Sequence, residues 1–95
     1  MKQITREKKI FKKVFSYKEA SEFSRISGDF NPIHLSNEFA SKSIHGKRVV
    51  HGMHSVFWAL ECFYTSANYN LLKNIHIKFN HPIFFQQTIN LKIIK

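Results

Sequence analysis

The sequence predicts an α+β domain in which one long apolar helix is enclosed by antiparallel strands. Residues 52–66 repeat apolar side chains at 3–4 spacing (Met53, Val56, Phe57, Leu60, Phe63, Tyr64), and Trp58, Ala59 and Cys62 carry the apolar surface nearly all round. A helix of that kind belongs inside a protein, covered by other elements. Residues 74–80 alternate instead, with Ile75, Ile77 and Phe79 facing one way and His76, Lys78 and Asn80 the other. Residues 88–94 repeat that strand period with Ile89, Leu91 and Ile93. The length of 95 residues allows one domain, spanning 1–95, and no more.

The other elements follow in order. Ile10, Phe11, Val14 and Phe15 predict a strand over 8–15, with imperfect alternation. Ser16 and Glu19 have the spacing at which a serine and a glutamate satisfy each other's orphan amides, so a helix starts there. Tyr17, Ala20, Phe23, Ser24 and Ser27 share one face of it, and Gly28 is a left-handed stop. Asp29 to His34 is expected to be a loop, because Pro32 lacks an amide hydrogen and pushes Asn31 out of helical geometry. Ser36 caps a short helix with Glu38 in its first turn, ending near Ser43, and Gly46 marks a turn. Residues 68–70 are expected to form a loop, and Pro82 to interrupt pairing at a strand end or bulge. Lys95 falls inside the last strand with no turn signal, so the sheet is expected to be incomplete. The C-terminal strands would then come from a partner or from a longer chain.

Composition narrows the function. Hydrophobic content of 43%, with ten phenylalanines, is enough for a core and argues against disorder. The start of the chain has no apolar signal-peptide core, and the longest apolar run, Val56 to Leu60, is too short to cross a bilayer. A single cysteine excludes an internal disulfide. These features predict a soluble cytoplasmic protein without a membrane role. The net charge of +9 reads first as a solvated basic face, since Lys8, Lys9, Lys12 and Lys13 sit among strand residues. It reads second as an attraction for a phosphate-bearing ligand or acidic carrier, and only distantly as nucleic-acid binding.

Gly28-Asp29-Phe30-Asn31-Pro32-Ile33-His34 places a turn glycine, a carboxylate, an amide, a rigid proline and an imidazole within seven residues. Together with the preceding Phe23-Ser24-Arg25-Ile26-Ser27, with Ala40, and with Val49-Val50-His51-Gly52-Met53 and Phe79-x-x-Pro82-Ile83, it resembles the hydratase-2 motif. That motif marks the MaoC-like dehydratases and (R)-specific enoyl-CoA hydratases of the hot-dog fold. The resemblance covers roughly residues 10–95 in the family's order. It departs from the family at Gln86-Gln87, which stand where a Gly-Asp turn is usual, and the family's further strands are expected to be missing.

The resemblance implies reversible hydration of a 2-enoyl thioester, carried on coenzyme A or acyl carrier protein, to the (R)-3-hydroxyacyl product. Asp29 and His34 take the family's acid and base roles, and sequence does not decide which is which. The backbone N–H of Gly52, at the positive end of the long helix and unencumbered by a Cβ, takes the oxyanion-hole role. Asn31 and Met53 are expected to bind substrate or orient the loop. His51 reads as structural; His54 is equally a pocket or a core residue; Cys62 reads as an inert thiol. A metal site on His34, His51 and His54 has no Cys/His framework to accompany it, so no metal or redox cofactor is expected. A homodimer or hetero-oligomer is expected. The rival reading is a non-catalytic acyl-thioester-binding or assembly subunit of the same fold.

Overall fold

A computed structural model describes residues 8–66 and 73–94. The elements run β1 (Lys8–Val14), α1 (Tyr17–Ser27), α2 (Pro32–Leu35), α3 (Asn37–Ser41), α4 (Gly52–Ser66) and β2 (Thr88–Ile94). The expected loop at 68–70 lies outside the described residues.

Local chemistry fixes α1 at both ends. Ser16 Oγ accepts from the Glu19 amide at 3.2 Å, and Glu19 Oε1 accepts from the Ser16 amide at 3.1 Å. Gly28 adopts φ 80° and donates its N–H to Ser24 O at 2.8 Å, ending the helix. Ala20, Phe23 and Ser24 face inward as expected, whereas Ser27 is exposed. Tyr17 is 40% exposed, and its ring clusters with the Arg48 guanidinium at 3.8 Å and with Phe85 at 4.9 Å. An ion pair of 2.6 Å between Lys13 and Glu19 ties β1 to this helix.

The expected loop over 29–34 is corrected in its second half, because Pro32–Leu35 forms a helical turn, α2. Asn31 caps it by accepting from Ile33 N at 3.0 Å, with proline in the first turn. A proline at the first helical position loses only an amide that would be unpaired anyway, and its fixed φ suits a helix start. Ser36 then caps α3 through the Phe39 amide at 3.1 Å. That helix ends at Ser41, two residues short of expectation, where Ser43 Oγ bonds Ala40 O at 2.7 Å.

Among the described residues the sheet is one antiparallel pair, β1 against β2, in register from Lys8↔Ile94 to Val14↔Thr88. The core beneath it is Phe15, Ala20, Val50 and Phe85, with Leu35, Trp58, Ile83 and Ile89 packed against it. α4 lies where the sequence puts it, yet it is covered on one side only. Cys62 is buried, while Met53, Phe57 and Tyr64 are about half exposed.

The expected strand at 74–80 is also corrected. Those residues are extended but join no ladder among the described residues, and Ile75 and Phe79 are 52% and 60% exposed. Alternation supplies two faces, but a strand also needs a neighbour on its hydrogen-bonding edge, and only Val49↔Phe84 bridges nearby. The turn before β2 survives without the usual glycine, because Gln86 itself takes the left-handed conformation at φ 63°. Its amide donates to Phe15 O at 3.1 Å.

Candidate active site

Three segments converge around the 28–34 motif: the end of α1, the single turn of α2, and the Val49–Gly52 entry to α4. Asp29 follows the left-handed Gly28. Its Oδ1 accepts from Asn31 N at 3.1 Å, a local turn that uses one carboxylate oxygen and leaves the other open. Asn31 is thereby both the far end of that turn and the cap of α2.

His34 rides on α2 and is held from behind. Its Nδ1 lies 2.8 Å from the Val49 carbonyl. A carbonyl only accepts, so Nδ1 carries the hydrogen and neutral His34 keeps its lone pair on Nε2. Arg48 Nε donates to the His34 carbonyl at 2.9 Å, and Val49 N donates to Ile33 O at 3.2 Å, so α2 is stapled to the strand-like 48–49 segment. The free Nε2 faces Asp29 Oδ2 at 3.8 Å, with side-chain exposures of 12% for the histidine and 49% for the aspartate. That is too long for a direct hydrogen bond and close enough for one water to touch both.

His51 is the buried member of the group, 2% exposed. Its Nε2 is 3.1 Å from the Asp29 backbone carbonyl and 3.2 Å from Ser24 Oγ, and its ring stacks on His34 at 3.9 Å between centroids. The carbonyl again fixes the tautomer, with hydrogen on Nε2 and the lone pair on Nδ1, a buried atom with no hydrogen-bond partner among the described residues. Burial holds the His51 pKa below the usual imidazole range; the Asp29 carbonyl opposes that shift, the His34 ring adds to it, and the ring stays neutral at pH 7. Sequence reasoning reads His51 as structural and places Ser24 on the shared face of α1 without a partner. The missed signal was a hydroxyl on the apolar face of α1, which requires a polar partner once buried.

His54 both packs and lines a pocket. It stacks on Phe23 at 4.6 Å and faces a cleft of about 740 Å³ that Asp29, Met53, Phe57 and Trp58 also line. Burial lowers its pKa too. Gly52 and His34 line a second cleft, of about 370 Å³. Gly52 begins α4, and its N–H has no hydrogen-bond partner among the described residues. The space a Cβ there would occupy belongs to the Phe79 ring, whose Cε1 would be 3.0 Å away. The missing Cβ therefore admits Phe79 in the first place. Cys62 is buried, its thiol pKa raised by burial and then by Glu61, as suits an inert side chain.

Asp29, His34 and His51 each offer one ligand atom within 4.8 Å of the others. As hydrogen-bonded, His51 Nε2 carries its proton toward the Asp29 carbonyl, so that nitrogen is not a free ligand atom in this arrangement. Asp29, His34, Asn31, His51 and Gly52 thus come together, while Met53 sits half exposed at the mouth of the larger cleft.

Residues 3–95 match the family model described as MaoC like domain. The chain belongs to that family. This MaoC-like domain is 30% identical over 83 residues to the 3-hydroxybutyryl-CoA dehydratase of Methylorubrum extorquens, a match covering 87% of this chain and 46% of that protein. It superposes on the (R)-hydratase of A. caviae involved in PHA biosynthesis with a TM-score of 0.76 and 27% identity, over 90% of this chain and 67% of that one. An R-hydratase of Pseudomonas aeruginosa gives a TM-score of 0.83 at 20% identity, over 95% and 59%. These likenesses make the MaoC-like domain a hot-dog-like α+β fold. It spans less than half the length of the curated dehydratase.

Proposed function

We propose that this MaoC-like domain hydrates a 2-enoyl thioester, carried on coenzyme A or acyl carrier protein, reversibly to the (R)-3-hydroxyacyl thioester. The observation that carries the reading is the 3.8 Å separation of Asp29 Oδ2 and His34 Nε2, neither of which has another hydrogen-bond partner among the described residues. Similarity to a 3-hydroxybutyryl-CoA dehydratase and to an (R)-hydratase supports it.

Addition of water needs a group to take its proton as oxygen attacks C3, a group to protonate C2, and a donor for the charge that gathers on the thioester oxygen. A water between Nε2 and Oδ2 is within reach of both. Its proton passes to the Asp29/His34 pair as the C3–O bond forms, and a proton returns from the pair to C2, so atoms balance. The fixed Nδ1–H···O bond to Val49 keeps the imidazole aimed while it gains and loses charge. In this reading the enolate oxygen goes to the Gly52 N–H, and its position at the positive end of α4, lining a cleft with His34, supports that role. The basic surface, +9 overall, suits the phosphates of coenzyme A or an acidic carrier.

The test is hydration of crotonyl-CoA, followed by loss of the conjugated absorbance. Asp29→Ala and His34→Ala are each expected to lower kcat by about 10²–10⁴-fold, with the fold intact by circular dichroism. A second reading, a non-catalytic thioester-binding or assembly subunit, draws on the two-stranded sheet and the half-covered α4. A folded but inactive wild-type protein that still binds crotonyl-CoA favours that reading.

A further inference from the structure

We propose that His51 is the positioning residue of this site: its Nε2–H, steadied by Ser24, ties down the backbone of Asp29, while its ring face seats the His34 imidazole. One buried side chain then sets the distance between two groups that lie on separate elements. The kinetic arm of this inference rests on the hydratase reading; its structural arm does not.

The argument is geometric. Asp29 lies on an exposed turn after α1, and its side chain is half exposed. Its own local bonds, from Asn31 N to Oδ1 and from its N–H to Ser27 Oγ at 3.1 Å, join residues of the same turn. Neither fixes that turn relative to α4. The bond from His51 Nε2 to the Asp29 carbonyl does, across 22 residues of sequence. His34 is fixed to the same place from the other side, through Nδ1 to Val49 O and through the 3.9 Å stack on His51. Residues 49–51 are therefore a common mount for the carboxylate and the imidazole. Ser24, fully buried, holds the ring of His51 in the orientation that reaches Asp29. A histidine present only to fill space would not require a buried hydroxyl and a backbone carbonyl on the same nitrogen.

Two substitutions at one position separate the tether from packing. In His51→Gln the side-chain amide N–H falls near the place of Nε2 and can still reach the Asp29 carbonyl. In His51→Asn the side chain is one methylene shorter and cannot, yet asparagine is well suited to the position before a helix. Neither keeps the aromatic stack, so any difference between them reports the tether. The first measurement is ¹⁵N relaxation of the Gly28, Asp29 and Phe30 amides. Wild type and His51→Gln are expected to stay ordered, while His51→Asn falls toward the flexible range, below about 0.6 in order parameter. The second is crotonyl-CoA hydration, where His51→Asn is expected to lose about 10²-fold in kcat, the scale of a misplaced reacting group. KM is expected to stay put, and His51→Gln to recover most of the loss. Ser24→Ala removes a partner of Nε2 without touching the ring, and is expected to loosen Asp29 in the same direction by less.

Equal order at Asp29 in wild type, His51→Asn and Ser24→Ala overturns the proposal. So does a rise in KM with kcat unchanged, or a His51→Gln protein no better than His51→Asn. If the wild-type protein hydrates nothing, the proposed function fails while the relaxation measurement still decides the role of His51.

Discussion

Replacing Gly52 by alanine and by proline separates two contributions of one residue. An alanine Cβ would lie 3.0 Å from Phe79 Cε1 and 3.1 Å from Cζ. Comfortable carbon–carbon contact is about 3.5–4.0 Å, so the ring must retreat by roughly half an ångström. Phe79 is 60% exposed and can do so. Alanine also relieves glycine's entropic cost in a helix, about 0.5–1 kcal/mol, so Gly52→Ala is expected to leave stability within about 1 kcal/mol of wild type. Its N–H remains. Gly52→Pro meets the same ring but deletes the N–H, and proline is well tolerated at the first helical residue. The alanine protein thus controls for the ring's movement, and the ratio between the two variants reports the N–H. Loss of one oxyanion donor costs about 10²–10³-fold in kcat, or roughly 2.7–4 kcal/mol. The assay is crotonyl-CoA hydration by both variants, with thermal melts to confirm folding. A folded proline variant as active as the alanine variant refutes the oxyanion assignment of Gly52.

Other consequences are open to measurement. His51 and His54, held neutral by burial, have folded pKa values below the unfolded 6.5. Below that pH the unfolded chain binds more protons, so stability is expected to fall as pH drops from 6.5 toward the folded values; melts with a midpoint flat from pH 7.5 to 5.5 contradict this. Gln86 holds φ 63°, a region costing a non-glycine residue about 1–2 kcal/mol; Gln86→Gly is expected to gain about 0.5–1 kcal/mol after glycine's own entropic cost, read from urea midpoints. Ser16→Ala removes the reciprocal cap of α1 and is expected to lose about 1 kcal/mol, and an unchanged midpoint would mean that the tertiary contacts of α1 carry its start.

What could be read from the sequence was what neighbours in the chain decide. The Ser16/Glu19 cap, the left-handed Gly28, the Ser36 cap and the span of α4 all depend on residues within a few positions of one another. That Asp29 and His34 share a neighbourhood is of the same kind, because a five-residue turn joins them, whereas the tether proposed for His51 is not. Pro32 was ambiguous because proline both ends and begins helices; only the Asn31 cap behind it decides, and it decided for a beginning. Residues 74–80 had a strand's alternation, but pairing belongs to the partner edge as much as to the segment. The position of His51 was hidden for a similar reason. Its burial and its bond to Asp29 come from α1 and α4 meeting, a contact that no local pattern announces.

The unpaired stretch at 74–80 has a further consequence, for how the protein behaves in concentrated solution. Its backbone carries no ladder among the described residues, and Ile75, Ile77 and Phe79 lie open beside it. An extended chain laid along that rail exchanges water for peptide bonding and covers three apolar side chains in one step. Mutual repulsion between molecules carrying +9 works against it, with Lys78 placing one of those charges on the rail itself. Salt screens that repulsion over about 10 Å at 0.1 M. Ionic strength is therefore expected to govern how long a concentrated sample stays clear, and neutralising Lys78 to shorten that time.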